Sequence, residues 1–305
     1  MNTTNQKLPK KLKKGDTIAI VSTARKVSIK ELAPAILFAE QMGLIVYLGK
    51  TIGAEKHQYA GDDVLRAQDF QDALDTPHIK AIWCARGGYG TIRMVDLLNF
   101  TKFIERPKWL IGYSDITVLH SHINKLDIPT IHGQMCLEIE QKSKATRDTL
   151  QQALFGETPH ISYGFESSPL SRDGNATGTL VGGNLSVLYS IIDSPSEIDW
   201  YGKILFIEDL DEMLYHIDRM MQNLKRSGRL KTLAGLIVGG MSEMRDNTIA
   251  FGSTAHEIIL EAVQEYNYPV CFNFPAGHIQ DNRALVFGKQ VTLAVSSKKV
   301  DLHYT

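Results

Sequence analysis

Cysteine is scarce: Cys84, Cys136 and Cys271 are an odd three among 305 residues, widely spaced. That excludes a disulfide framework and fits a reducing compartment. Long hydrophobic runs are missing as well. The N-terminal segment carries Lys7, Lys10, Lys11, Lys13 and Lys14, but the apolar stretch that follows, Thr17 to Val21, is too short for a signal peptide or a membrane span. The cytoplasm is therefore the expected location. An excess of one charge is absent too: 33 basic side chains face 34 acidic ones, for a net charge of -1. No nucleic acid or membrane surface is expected as a partner. Paired cysteines and a His-Glu-x-x-His pattern are lacking, and His120 and His122 stand two apart on one expected helix, where they cannot share a face. No metal site is expected.

What is present is ordinary for a soluble globular chain, with 43% hydrophobic and 22% charged residues. The length suits one large or two modest domains. Apolar runs at Thr17–Val21, Leu44–Leu48, Ile79–Ala85, Trp109–Ile111 and Pro129–His132 alternate with helical patterns at 28–42, 62–74, 91–98 and 115–126. Strands alternating with helices predict βαβ units and a mostly parallel sheet. From Gly156 to Asn175 the composition turns loop-like, so the expected division is an N-terminal domain at 1–155, a linker at 156–175 and a C-terminal domain at 176–305. Beyond the linker, 177–184 leads into a helix, strands are expected at 203–207, 236–238 and 269–273, helices at 213–227 and 254–265, and 284–304 alternates like antiparallel strands.

The chain is organised around Trp109 to His120. A buried strand runs into Gly112, Ser114 sits at the turn, and Asp115 opens a helix. A serine at a strand-to-helix turn exposes its hydroxyl beside helix N-terminal amides, a suitable place for a nucleophile whose reaction makes an oxyanion. Ser114 or Asp115 as a plain helix cap is the competing reading. The nucleophile-elbow pattern also wants glycine where this chain has Ile116.

Three further stretches carry candidate chemistry. Arg86-Gly87-Gly88-Tyr89-Gly90 follows a strand and offers free amides at close approach, or else is a tight turn. It has neither the Gly-Lys-Ser/Thr ending of a P-loop nor the spacing of a dinucleotide fingerprint, and no cofactor is expected. Open α/β sheets bind ligands outside strand C-termini, which would put this loop and Ser114 in one crevice. Glu208 ends an apolar strand, whereas Asp209, Asp211 and Glu212 suit the first turn of the next helix. His278 lies in a loop between strands and is a candidate general base, with His132 and His216 as competitors. Cys84 lies inside a strand and reads as a core thiol.

Taken together, Arg86-Gly87-Gly88-Tyr89-Gly90, Gly112-Tyr113-Ser114-Asp115, Gly182-Gly183-Asn184-Leu185, Glu208-Asp209 and Pro275-Ala276-Gly277-His278 resemble the LD-carboxypeptidase family of serine peptidases over nearly the whole chain. The resemblance implies an α/β fold: an N-terminal parallel-sheet domain similar to class I glutamine amidotransferases, and a smaller β-rich C-terminal domain. It implies Ser114 as nucleophile, His278 as base and Glu208 as its orienter, with the backbone amides of Gly88 and Asp115 as oxyanion hole. Arg86, by position, and Asn184 are the candidate substrate-binding residues. A homodimer acting in the cytoplasm on murein tetrapeptide, releasing terminal D-alanine during wall recycling, is the implied activity; a related branch cleaves a peptidyl-nucleotide antibiotic. One departure concerns the loop shape: many members have glycine after the histidine, and this chain has Ile279. Outside the family, the same amides could cradle a small anion in a non-catalytic binding protein.

Overall fold

Apolar residues at nearly every strand position demand burial on both faces, and the fold supplies it for Ile18–Val21, Ala81–Cys84 and Trp109–Gly112, whereas the edge run Ile45–Leu48 stays partly exposed. The structure, a computed structural model, describes residues 7–164 and 170–305. Its first half comprises β1 (Thr17–Val21), α1 (Ile29–Gln41), β2 (Ile45–Leu48), α2 (Asp63–Asp75), β3 (Ile79–Cys84), α3 (Thr101–Glu105), β4 (Trp109–Gly112), α4 (Thr117–Asn124), β5 (Thr130–His132) and α5 (Lys144–Phe155). The second half comprises β6 (Ile161–Gly164), β7 (Gly174–Asn184), α6 (Leu185–Ser190), β8 (Lys203–Leu210), α7 (Leu214–Arg226), β9 (Gly235–Ser242), α8 (Ala255–Ala262), β10 (Val270–Cys271), β11 (Leu285–Phe287), β12 (Gln290–Val295) and β13 (Lys299–Tyr304).

The strands form two sheets, in the orders β11-β5-β4-β3-β1-β2 and β10-β9-β8-β7-β12-β13-β6. In the first, β1 to β5 run parallel and β11 joins antiparallel to β5. One face packs under α1 and α5 through Leu32, Ala35, Leu150 and Leu154. The other packs under α2, α3 and α4 through Phe70, Phe103, Leu119 and Ile123. Ser28 and Glu31 start α1 with reciprocal side-chain-to-backbone bonds, a capping box.

The C-terminal half is a mixed α/β layer that carries more strand than helix, as the resemblance implies. Strands β7 to β10 are parallel, and the amphipathic stripe of α7, Ile217, Met220, Met221 and Leu224, buries one of their faces. The sheet is mixed because β12, β13 and β6 close its other side antiparallel. Two strands depart from a simple division of the chain. Residues 161–164, expected within a linker, are edge strand β6, while 165–169, with Ser167, Ser168 and Pro169 of that same reading, lie outside the described residues. Strand β11 comes from the C-terminal half but extends the N-terminal sheet. Its Leu285 and Phe287 share a core with Leu180, Phe206 and Phe274 of the second half. Residues 91–98 make two short 3-10 turns in place of one helix. The run is short and holds β-branched Thr91, Ile92 and Val95, poor material for propagating an α-helix.

Candidate active site

Strand β4 ends at Gly112, and Ser114 follows with φ of 64°. A left-handed serine costs about 1–2 kcal/mol, a strain that persists only where surrounding structure enforces it. Its hydroxyl caps nothing: neither the 3-10 turn Ser114–Ile116 nor α4 has a side-chain cap bond. Asp115 points elsewhere, its carboxylate accepting from the Thr91 amide at 2.9 Å. Of the two readings of this turn, the geometry is that of an elbow. Ile116 is tolerated because the small residue sits on the other side of the serine: a Cβ on Gly112 would come within 2.7 Å of the Ile116 side chain.

The glycine-rich loop lies against this elbow. A Cβ on Gly87 would stand 3.5 Å from Ser114 Cβ, so the loop and the serine do share one crevice. The backbone N–H groups of Gly88 and Asp115 donate to no protein acceptor among the described residues. Such unspent amides beside a nucleophile are the ordinary construction of an oxyanion hole. The loop is held from below by Arg66, whose side chain is fully buried. Its guanidinium donates to the carbonyls of Thr23 at 2.5 Å and Gly90 at 2.8 Å and pairs with Asp63. The sequence offers no local sign of this role, since Arg66 sits mid-helix in α2.

Glu208 is fully buried on β8. Its Oε2 accepts from His278 Nδ1 at 2.6 Å and from the His278 amide at 3.2 Å. Gly277, at φ of 106°, permits this: a Cβ there would fall 2.8–2.9 Å from Glu208 Cβ, Cγ and Oε2. With Nδ1–H donated to the carboxylate, the lone pair of the neutral ring belongs to Nε2. Nε2 has no hydrogen-bond partner among the described residues, and Tyr113, the neighbour of Ser114, packs on the ring at a centroid distance of 4.8 Å. No hydrogen bond joins Ser114 to His278 among these residues; ligand-free catalytic contacts are often long and tighten with substrate. Burial opposes protonation of His278, but the Glu208 charge and hydrogen bond, with the charge of Asp209, outweigh it and hold the imidazole above its usual 6.5.

The first half of this framework, residues 18–133, matches the family model of the LD-carboxypeptidase N-terminal domain, and residues 177–293 match that of the C-terminal domain. A probable murein peptide carboxypeptidase of Bacillus subtilis (strain 168) is 36% identical over 95% of this chain and 92% of its own length. The chain belongs to the LD-carboxypeptidase family. It is a serine-type peptide-bond hydrolase. A microcin C7 self-immunity protein of Escherichia coli is 24% identical over 94% of this chain and 93% of its own. Among solved structures, a muramoyltetrapeptide carboxypeptidase from Oxalobacter formigenes superposes with a TM-score of 0.85 at 27% identity, covering 94% of this chain and 98% of that one.

Not every expected residue of this LD-carboxypeptidase faces the crevice. Asn184 was expected at the substrate, yet it is 5% exposed and its amide is spent internally. Nδ2 donates to Asp209 at 2.8 Å, and Oδ1 accepts from Ser186 Oγ and the Val187 amide, capping α6. Its own amide donates to Thr117 Oγ1 at 3.0 Å, tying β7 to α4 and one half of the chain to the other. Asp209 beneath it is pushed up to about 7, by burial first and by the neighbouring Glu208 charge next. Arg86 turns away from the serine: it donates to the Lys26 carbonyl at 3.3 Å and lines a cavity of about 250 Å³ with Ser28, Glu31 and Glu55. The competitors drop out by environment. Cys84 is buried and burial drives its thiol far upward, so it is no nucleophile at neutral pH. His132 is sealed between Tyr113, Phe206 and Phe287 with its pKa depressed by burial, and His216 is committed to Glu212 at 2.5 Å. Ile279, after the histidine, fits because Gly240 leaves it room; a Cβ on Gly240 would lie 2.6 Å from its side chain.

Proposed function

We propose that this LD-carboxypeptidase hydrolyses the amide between an L-centre and terminal D-alanine in murein tetrapeptide, with Ser114 as nucleophile, His278 as base and Glu208 as orienter. The observation that carries the assignment is the buried Glu208–His278 pair at 2.6 Å beside a left-handed serine. Ser114 Oγ attacks the carbonyl carbon as its proton passes to His278 Nε2. The oxygen becomes an oxyanion facing the Gly88 and Asp115 amides. Collapse breaks the C–N bond, and the D-alanine amine leaves with the proton from His278. Water then attacks the ester by the same proton route, returning Ser114. Each oxyanion donor is worth about 10²–10³ in rate.

The test incubates purified protein with murein tetrapeptide and follows alanine release by mass spectrometry. Wild type should release D-alanine, and Ser114→Ala should lose at least about a thousandfold in turnover with an unchanged melting temperature. Binding without release in wild type would instead support a non-catalytic anion-binding protein. The likeness to the microcin self-immunity protein over 94% of this chain favours a second substrate class, a peptidyl-nucleotide conjugate. The same assay with such a conjugate in parallel ranks the two by kcat/KM. We place the reaction in the cytoplasm, in wall recycling, and the enzyme as a homodimer of two-domain chains divided near 156–175; light scattering after gel filtration tests the dimer.

A further inference from the structure

A carboxypeptidase must read the free carboxylate of its leaving residue, and Arg86, beside the loop in sequence, does not face the serine. Another arginine does stand over the loop. The side chain of Arg25 lies across Gly88, with Cδ, Nε and Cγ at 2.6, 2.7 and 2.9 Å from where a Gly88 Cβ would be. Glycine at 88 is what lets the arginine lie there. The backbone of Arg25 is fixed on both sides: its amide donates to the Gly87 carbonyl at 3.4 Å, and its carbonyl accepts from Ser22 Oγ at 2.6 Å. It also pairs with Tyr59 in an isolated β-bridge. Yet Arg25 is exposed, and its guanidinium makes no hydrogen bond or ion pair among the described residues. The neighbouring cations behave otherwise: Lys26 is paired with Glu55, and Arg66 and Arg93 with Asp63.

We infer that Arg25 is the specificity-determining residue that receives the terminal carboxylate of the substrate; this rests on the peptidase reading above. The spacing agrees. The Gly88 amide serves the scissile carbonyl, and the carboxylate of a single leaving residue lies one residue further on, ~3.8 Å along the chain. Arg25 Nε lies 2.7 Å from where a Gly88 Cβ would be, directly beside that amide's residue. A guanidinium fork with no protein partner is suited to bidentate capture of a carboxylate. A second residue beyond the scissile bond would run into that fork, so the site releases one residue only.

The experiment measures kcat/KM for wild type, R25Q and R25K on tetrapeptide with a terminal carboxylic acid and on its terminal carboxamide. Wild type should prefer the acid by about ten- to hundredfold. R25Q should lose that preference through a raised KM for the acid with the amide rate unchanged, a pattern that simple loosening of the loop would not give. R25K should recover part of it. An acid preference intact in R25Q overturns the role of Arg25 while leaving the peptidase standing. If wild type cleaves neither peptide, the murein-peptide reading fails instead. Calorimetric binding of acid and amide to S114A with and without R25Q then decides Arg25 separately, equal affinities or no binding counting against it.

Discussion

At the scale of single residues, the chemistry turns on one proton. If His278 is the base, as proposed, it works only when neutral, and Glu208 holds its pKa above 6.5. The rate should therefore fall on acidification with a midpoint above 6.5 in a log kcat/KM profile. Glu208→Gln should move that midpoint down, because burial, the opposing influence, then prevails. H278A and E208Q should each be severe, and the double variant scarcely worse than the worse single, since residues of one catalytic unit are non-additive. Stability runs opposite to rate. A raised folded-state pKa contributes stability fully below the unfolded value near 6.5 and loses it as pH rises through the folded value. The melting-temperature gap between wild type and E208Q should accordingly be wider at about pH 6 than at about pH 9.

At the scale of elements, three tight turns place the site: β4 to Ser114, β3 to the glycine-rich loop, and the loop before His278. Gly277 does two things in the last of these. Its φ of 106° is hard for any side chain, and its bare Cα makes room for the Glu208 carboxylate. Gly277→Ala should destabilise the protein by about 1–3 kcal/mol and cut kcat by at least about tenfold as Glu208 is displaced. Gly252→Ala is the matched comparison, with φ of 93° but open space around it. It should carry the backbone cost and keep full turnover. Denaturant melts and steady-state kinetics on the two variants separate backbone strain from displacement of the carboxylate.

At the scale of the whole molecule, the proposed nucleophile and the proposed base-orienting residue belong to different sheets. Ser114 follows β4 of the first, and Glu208 lies on β8 of the second. Their alignment is set by the seam between the sheets, where Phe287 on β11 packs on His132 at 5.1 Å, His120 at 5.7 Å and Phe206 at 6.0 Å. Phe287→Ala should cost about 3–5 kcal/mol, as truncating a buried aromatic does. It should also lower kcat, although Phe287 is assigned no chemistry, because the two halves of the proposed triad lose their common reference. Chemical denaturation and turnover of the variant below its transition check both.

Residue type and periodicity determine much of this protein directly. Doubly buried strands read as unbroken apolar runs, and the elements at 17–21, 79–84 and 109–112 stand where their composition puts them. The residues proposed for the chemistry stand in three settings: Ser114 at a strand-to-helix turn, His278 in a loop, and Glu208 within β8, which runs past the expected strand end to Leu210. Position in the chain says nothing, however, about which way a loop side chain turns. Arg86, by position, and Asn184 were the candidates for substrate, and only tertiary packing shows one turned toward Lys26 and the other consumed by Asp209 and α6. Arg25 and Arg66 gave no local signal, because their positions over and under the glycine-rich loop come from contacts with residues far along the chain. The same holds for β11, whose three residues alternate like their neighbours but pair with β5, more than 150 positions earlier. Local sequence sets backbone preference and chemical capacity; long-range contacts alone decide which capable groups meet.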